Sequence, residues 1–176
     1  MTREEIEKFI AENIRVREKM GNFEALLKYK FKDRSWLAKA MCSIKVTTKN
    51  GKSTNEFYND PMATVGDAII KAILAVFLFK DKNIKDSGLI TIEKSQIEDN
   101  QTFHDIMMKK KWIKFAFNEK HFHNDKSIPE HEKVRDDEHD PYIEAIVAAI
   151  YFDSNYDKTK KWVIKYLLPI LEEYKR

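Results

Sequence analysis

The stretch NDPMATVGDAIIKAILAVFLF, from Asn59 to Phe79, decides the fold of this chain. Its polar beginning changes, after the pair Gly66 and Asp67, into an almost unbroken run of apolar residues. Asp60 followed by a proline is typical of a helix N-terminus, since an acidic side chain caps free amides and proline has no N–H to leave unbonded. We therefore predict one long helix that begins with Asp60 as its N-cap, lies buried in the core and belongs to an all-α fold.

The composition favours a single soluble domain rich in helices. The 176 residues are 43% hydrophobic and 35% charged, with only 4 Gly and 4 Pro, which argues against a β-sandwich or a disordered chain. The single cysteine, Cys42, excludes an internal disulfide framework and indicates a reducing compartment, so we expect a cytoplasmic protein. The apolar run 68–79 is shorter than the roughly 20 residues of a membrane span, and we expect no membrane association.

The hydrophobic pattern elsewhere predicts further helices and no long strand. Thr2 and Glu5 form a capping box for a first helix, which we expect to end near Gly21. A polar loop with an Asn-Gly turn precedes the long helix, and residues 118–140 show no apolar period and are expected to form a loop or insertion. The remaining predicted helices comprise two short ones within 22–44, two that meet near Asn100, one over 141–152 and one over 158–174 with a kink at Pro169.

A second helix with acids near its start follows in EHDPYIEAIVAAIYFDSNYD, residues 138–157. Asp140 is expected to be the N-cap, and Glu144 lies one turn further on. If the two helices pack side by side, Asp67 and Glu144 come together, and adjacent carboxylates suit Mg²⁺ or Mn²⁺. The alternative is that Asp60 and Asp140 only cap helices while Asp67 and Glu144 are solvated or hydrogen-bonded.

Four blocks, taken in order, resemble the ribonuclease III family. They are LLKYKFKDRSWLAKAM from Leu26, the stretch from Asn59, SGLITIEKSQIEDNQTFHDI from Ser87 and YIEAIVAAIYFDSNYD from Tyr142. The resemblance implies an all-helical, ribonuclease III-like domain over residues 21–176, preceded by a helical extension at 1–20. It also implies a homodimer, double-stranded RNA as the partner and Mg²⁺ or Mn²⁺ as the cofactor.

The same resemblance implies Asp67 and Glu144 as metal ligands and catalytic residues, with Asp60 and Asp140 as further candidate ligands. A glutamate of the family's signature falls on Ala63, which offers no ligand oxygen. The site is therefore interpreted as degenerate, and the first hypothesis is a protein that binds or processes double-stranded RNA with weak or absent cleavage. The alternative is an active endoribonuclease that uses the two remaining acids.

Pro141 stands where the family has a second aspartate, and CSIK from Cys42 replaces its Thr-His-Arg-Ser stretch. A glutamate-to-alanine change at position 63 is also what deliberate inactivation would introduce, but proline at 141 is not a residue that such a design would choose.

Two lysine-rich stretches bear on RNA binding. MKKKWIKF from Met108 and KTKKWVIKY from Lys158 interleave lysines with aromatic residues, which suits either phosphate contacts or the wet face of an ordinary amphipathic helix. Since the chain ends at Arg176, directly after the last predicted helix, we expect RNA contacts from the domain itself or a partner, without a separate RNA-binding domain.

Overall fold

The computed structural model describes residues 1–119 and 141–175, and it shows a helical domain built on one long central helix. The predicted all-α fold class is confirmed, with a single short hairpin among the described residues. The helices are α1 (Arg3–Glu12), α2 (Ile14–Leu27), α3 (Ser35–Ala40), α4 (Asp60–Lys80), α5 (Ser87–Ile97), α6 (Asn100–Lys109), a 3₁₀ helix (Trp112–Phe115), α7 (Tyr142–Asp153), α8 (Tyr156–Trp162), a π-helical turn (Val163–Leu167) and α9 (Leu168–Tyr174).

The N-terminal region holds two helices where the sequence predicted one. The capping box of Thr2 and Glu5 is present at the start of α1, as expected. The break comes at Asn13, whose extended backbone ends α1 and whose side chain accepts a hydrogen bond from the Val16 N–H to start α2. The predicted end near Gly21 is therefore wrong, and this glycine lies inside α2.

The segment predicted as a polar loop forms a β-hairpin. Strands β1 (Lys45–Thr47) and β2 (Ser53–Phe57) pair antiparallel, with the turn at the predicted Asn-Gly step, where Gly51 adopts a φ of 76°. The Thr47 N–H donates to the Met1 carbonyl at 2.8 Å, so the hairpin also holds the start of the chain.

The centre of the fold is the crossing of α4 and α7. A Cβ added to Gly66 would lie 1.7 Å from the carbonyl oxygen of Glu144, so only glycine permits this approach of the two backbones. Every residue of α7 from Tyr142 to Ile150 is buried. The crossing thus brings the first turn of α7 directly against the second turn of α4.

Helix α4 is part of the core, as predicted, but it is buried on one side only. It is the one helix in the described ranges long and apolar enough to cross a membrane by length and composition alone, and less than half of its central residues are buried. Its inner side packs on α7, while its outer side exposes Val65 and Phe79.

The predicted kink at Pro169 takes the form of a widened turn. Proline lacks an N–H, and its ring clashes with the carbonyl four residues earlier in a regular α-helix. The π-helical turn Val163–Leu167 comes just before this position, and α9 follows without a break. Before the turn, the Trp162 indole N–H donates to the Leu27 carbonyl at 2.7 Å and anchors the last helices to α2.

The segment 41–43 is held by backbone pairing with residues that follow the 3₁₀ helix. The Ser43 N–H donates to the Phe117 carbonyl and the Phe117 N–H to the Met41 carbonyl, each at 2.8 Å. The Tyr142 hydroxyl donates to Ser43 Oγ at 2.8 Å. Cys42, between these bonds, is fully buried, and burial raises the pKa of its thiol to about 12.

Candidate functional site

The start of α4 differs by one residue from the prediction. Asn59, not Asp60, occupies the N-cap position, and its buried side-chain amide donates to the Ala40 carbonyl at 3.0 Å. Asp60 is the first helical residue, and its Oδ2 accepts a hydrogen bond of 2.7 Å from the Phe57 N–H. One oxygen of this candidate ligand therefore fastens the end of β2 to the start of α4.

The start of α7 also differs from the prediction. Pro141 occupies the N-cap position with φ −80° and ψ 50°, and the helix begins at Tyr142. Asp140, the fourth candidate ligand, lies outside the described residues. Within the described residues, α7 therefore brings one candidate acid to the site, Glu144 in its first turn.

Glu144 is a buried acid with an unmet hydrogen-bonding oxygen. Its exposed fraction is 8%, and Oε2 is buried without a hydrogen-bond partner among residues 1–119 and 141–175. Burial raises the pKa of Glu144 from an ordinary 4.5 to about 7, and the Asp67 carboxylate adds to the rise, while a backbone hydrogen bond and the Lys71 ammonium lower it. The two acids named from the sequence thus lie close enough to affect one another electrically.

Asp67 is half-exposed and already paired with a cation. Its Oδ2 lies 2.8 Å from Nζ of Lys71, one turn further along α4. The hydrogen bond to Asp67 is the main cause that raises the pKa of Lys71. Ala63, one turn before Asp67, is buried and presents only a methyl group. The i, i+4 spacing of Asp67 and Lys71 was visible in the sequence, but the pairing was not among the predicted features.

The described side chains do not fit the divalent-cation centre that the resemblance implies. No three His, Cys, Asp or Glu residues in the ranges 1–119 and 141–175 approach closely enough to hold a metal ion. Asp67 is bound by an ammonium, Glu144 is held in surroundings that favour its protonated form, and Asp60 accepts a backbone N–H. A Mg²⁺ ion prefers several hard oxygen ligands in near-octahedral geometry, and this set does not supply them.

A second buried carboxylate on α7 was missed by the sequence reasoning. Asp153, at the last turn of the helix, has an exposed fraction of 7%. It accepts hydrogen bonds from the Tyr29 hydroxyl at 2.9 Å and from the backbone N–H groups of Lys32 at 3.0 Å and Asp33 at 2.9 Å. This acid joins α7 to the segment between α2 and α3.

In the lysine-rich stretches the tryptophans are buried in the core, and Lys110 forms an ion pair at the surface. Trp112 and Trp162 are both buried, so these rings belong to the core. Lys110 lies 3.2 Å from a carboxylate oxygen of Glu173, and its ammonium also lies over the Tyr174 ring. The structure therefore favours the ordinary amphipathic interpretation for the tryptophans.

Known proteins similar to this chain share one description. The sequence model of the family described as "Ribonuclease III domain" matches residues 60–155. Ribonuclease 3 of Clostridium kluyveri is 28% identical over 162 residues, which cover 89% of this chain and 62% of that protein. Ribonuclease 3 of Azobacteroides pseudotrichonymphae is 31% identical over 112 residues, covering 62% of this chain and 38% of that protein.

Solved structures show the same fold. Two structures of the nuclease domain of ribonuclease III from Campylobacter jejuni match with TM-scores of 0.63 and 0.61 at 19% and 20% sequence identity. They cover 89% and 92% of this chain, and the matches span 96% and 95% of those chains. By contrast, the chain spans about 62% of the length of the Clostridium relative.

Proposed function

This chain belongs to the ribonuclease III domain family, and from that premise we propose that it binds double-stranded RNA as a homodimer, with weak or absent cleavage. The observation that carries the second half of the proposal is the pairing of Asp67 with Lys71 beside the methyl group of Ala63. A nuclease that relied on Asp67 and Glu144 would need both carboxylates free and ionised to hold a cation.

The outer side of α4 supports the proposed homodimer. Val65, Ala68, Ala72, Val76 and Phe79 recur at spacings of three and four residues and so lie on one face of the helix. Four of these residues are exposed, and Val76 is half-buried. A continuous apolar face of this kind marks an interaction surface on a folded protein.

Helix α5, which contacts α4, carries further exposed apolar residues. It packs against α4 and exposes two large aliphatic side chains, Leu89 and Ile92. A second copy of the chain would offer the same residues, and an isologous contact buries like against like. One of the Campylobacter jejuni nuclease-domain structures was described for flexibility in a region involved in dimer formation of that protein, which agrees with a dimeric arrangement here.

An RNA experiment tests binding against cleavage. Purified protein is mixed with long double-stranded RNA in Mg²⁺ or Mn²⁺, and binding is measured by a mobility shift while cleavage is followed on a denaturing gel. We expect a shift that weakens as salt increases, because phosphate contacts release counterions, and RNA that stays intact. Absence of binding would overturn the proposal. Cleavage that disappears in Asp67→Asn would establish the alternative of an active endoribonuclease.

Sedimentation tests the homodimer separately. Ile92→Lys places a charge in the apolar surface, and we expect it to shift the protein from dimer to monomer because a lysine is costly to bury at an interface core. The matched control is Ile14→Lys, since Ile14 is an exposed aliphatic residue on α2. A wild-type protein that sediments as a monomer at all concentrations would refute the dimer, and loss of association in both variants would refute its assignment to this face.

A further inference from the structure

The Lys71 ammonium interacts electrostatically with three acids, which lie on α4, on α7 and at the C-cap of α5. It bonds to Asp67 on α4, and it also interacts electrostatically with Glu144 in α7 and with Glu98, the residue that ends α5. The side chain of Lys71 is about half exposed. Its ammonium nevertheless interacts with all three carboxylates.

Two of these acids have an oxygen that no donor in the described ranges satisfies. Glu144 Oε2 and Glu98 Oε2 are both buried and without a hydrogen-bond partner. The other oxygen of Glu98 is held by Lys94 at 2.7 Å. A buried, unbonded carboxylate oxygen is costly, so each of these acids depends on nearby positive charge.

We propose that the Lys71 ammonium is the resident cation of the Asp67, Glu98 and Glu144 cluster and closes it to divalent metal ions. This inference rests on the proposed function, since it gives the physical reason for weak or absent cleavage. An ammonium neutralises carboxylates, but it is not a Lewis acid and does not generate hydroxide from a bound water as a metal ion does.

The positive charge of Lys71 and its short distance from Asp67 explain why the lysine excludes a metal ion. A divalent ion at Asp67 would lie close to a positive charge that is already bound at 2.8 Å, and the two like charges repel even though solvent screens this half-exposed pair. To bind, the ion would have to displace the ammonium and leave Lys71 unpaired. In the described part of the chain no three acids approach closely enough to hold a metal ion, so metal binding after removal of the ammonium rests on Asp67 and Glu144, with water as the remaining ligands.

Metal binding in the absence of RNA tests the proposal. The affinity for Mn²⁺ is measured by electron paramagnetic resonance on the folded protein, wild type against Lys71→Met and Lys71→Gln. We expect the Kd to fall by at least about tenfold in both neutral variants, because the competing charge is gone. Lys80→Met, at the last residue of the same helix, is the matched control and should bind as the wild type does. Lys71→Arg keeps the charge, so its affinity for Mn²⁺ should remain as weak as that of the wild type.

A second arm combines the lysine with the missing carboxylate. Ala63→Glu adds an acid one turn before Asp67, and we expect it to create tight Mn²⁺ binding only when Lys71→Met is also present. Equal Kd values for the wild type and both neutral variants would overturn the inference, as would tight binding from Ala63→Glu alone. Because no RNA is used, these outcomes are distinct from a failure of RNA binding, which would overturn the proposed function instead.

Discussion

Helix α7 carries a buried carboxylate at each end, and the two have opposite surroundings. Asp153 and Glu144 are equally hidden from solvent, with exposed fractions of 7% and 8%. Asp153 accepts hydrogen bonds from one hydroxyl and two backbone N–H groups. Glu144 has an oxygen without a hydrogen-bond partner in the part of the chain that the structure describes, a raised pKa and a second acid nearby.

This difference in hydrogen bonding means that Asp153 stabilises the fold, whereas the Glu144 carboxylate destabilises it. Donors fixed by the backbone stabilise a buried charge without any further partner. A carboxylate that lacks them remains costly unless it takes up a proton or meets a cation. A buried acid with a raised pKa beside a second acid is typical of functional sites, and the Glu144 end of α7 is such a place.

The largest expected effect comes from the crossing that positions Glu144. Gly66→Ala would place a Cβ 1.7 Å from the Glu144 carbonyl oxygen, so α4 and α7 must separate. We expect the free energy of unfolding to fall by about 3–5 kcal/mol, measured by urea denaturation. Gly21→Ala is the control, since its added Cβ meets only ordinary contacts with the Arg34 side chain, and inside a helix it should stabilise by about 0.5–1 kcal/mol. Equal effects of the two substitutions would contradict the close crossing.

The next effect is expected at the other end of α7. Asp153→Asn removes the charge that three donors share and turns an amide group toward some of them, so we expect a loss of about 2–4 kcal/mol in unfolding free energy. Tyr29→Phe removes one donor and keeps the ring, and should cost about 1 kcal/mol. An unchanged stability of Asp153→Asn in thermal and urea unfolding would show that this acid does not stabilise the fold.

A third effect, smaller than those of Gly66→Ala and Asp153→Asn, is expected at Glu144, and its sign is opposite. The folded protein holds a proton on Glu144 up to about pH 7, while the unfolded chain releases it near the ordinary pKa of 4.5. The contribution of this group to stability therefore falls as pH rises between these values, and stays low above them. We expect Glu144→Gln to match the wild type at low pH and to be more stable by about 1–3 kcal/mol above pH 7. Urea unfolding across this range measures it, and a difference that does not grow with pH would contradict the raised pKa.

The sequence was sufficient for the features that depend on local pattern. The start of α4 lies within one residue of the prediction, and the Asn-Gly turn appears where it was expected. The family model matches residues 60–155, a range that includes both acid-bearing helices named from the resemblance. These features depend on residues that are close in sequence, so helix-capping residues and the hydrophobic period are enough to predict them.

The features that sequence could not provide depend on distant parts of the chain. Asp153 follows an apolar run and looks like a helix end, and its donors at Tyr29, Lys32 and Asp33 are more than a hundred residues away. The break at Asn13 was missed because the apolar pattern continues on both sides of it. The burial of Glu144 depends on the α4 crossing, and no local pattern reports how closely two helices approach. Whether residues 1–20 form a separate extension stays a prediction.

The fully buried Cys42 gives this protein an internal reporter of opening. A thiol reacts with alkylating reagents as the thiolate, and burial with a pKa of about 12 leaves almost none of that form in the folded state. Labelling of this single cysteine therefore requires the pairing of residues 41–43 with Phe117 to separate first. The rate of its modification under native conditions becomes a direct reading of how often the segment leaves its partners.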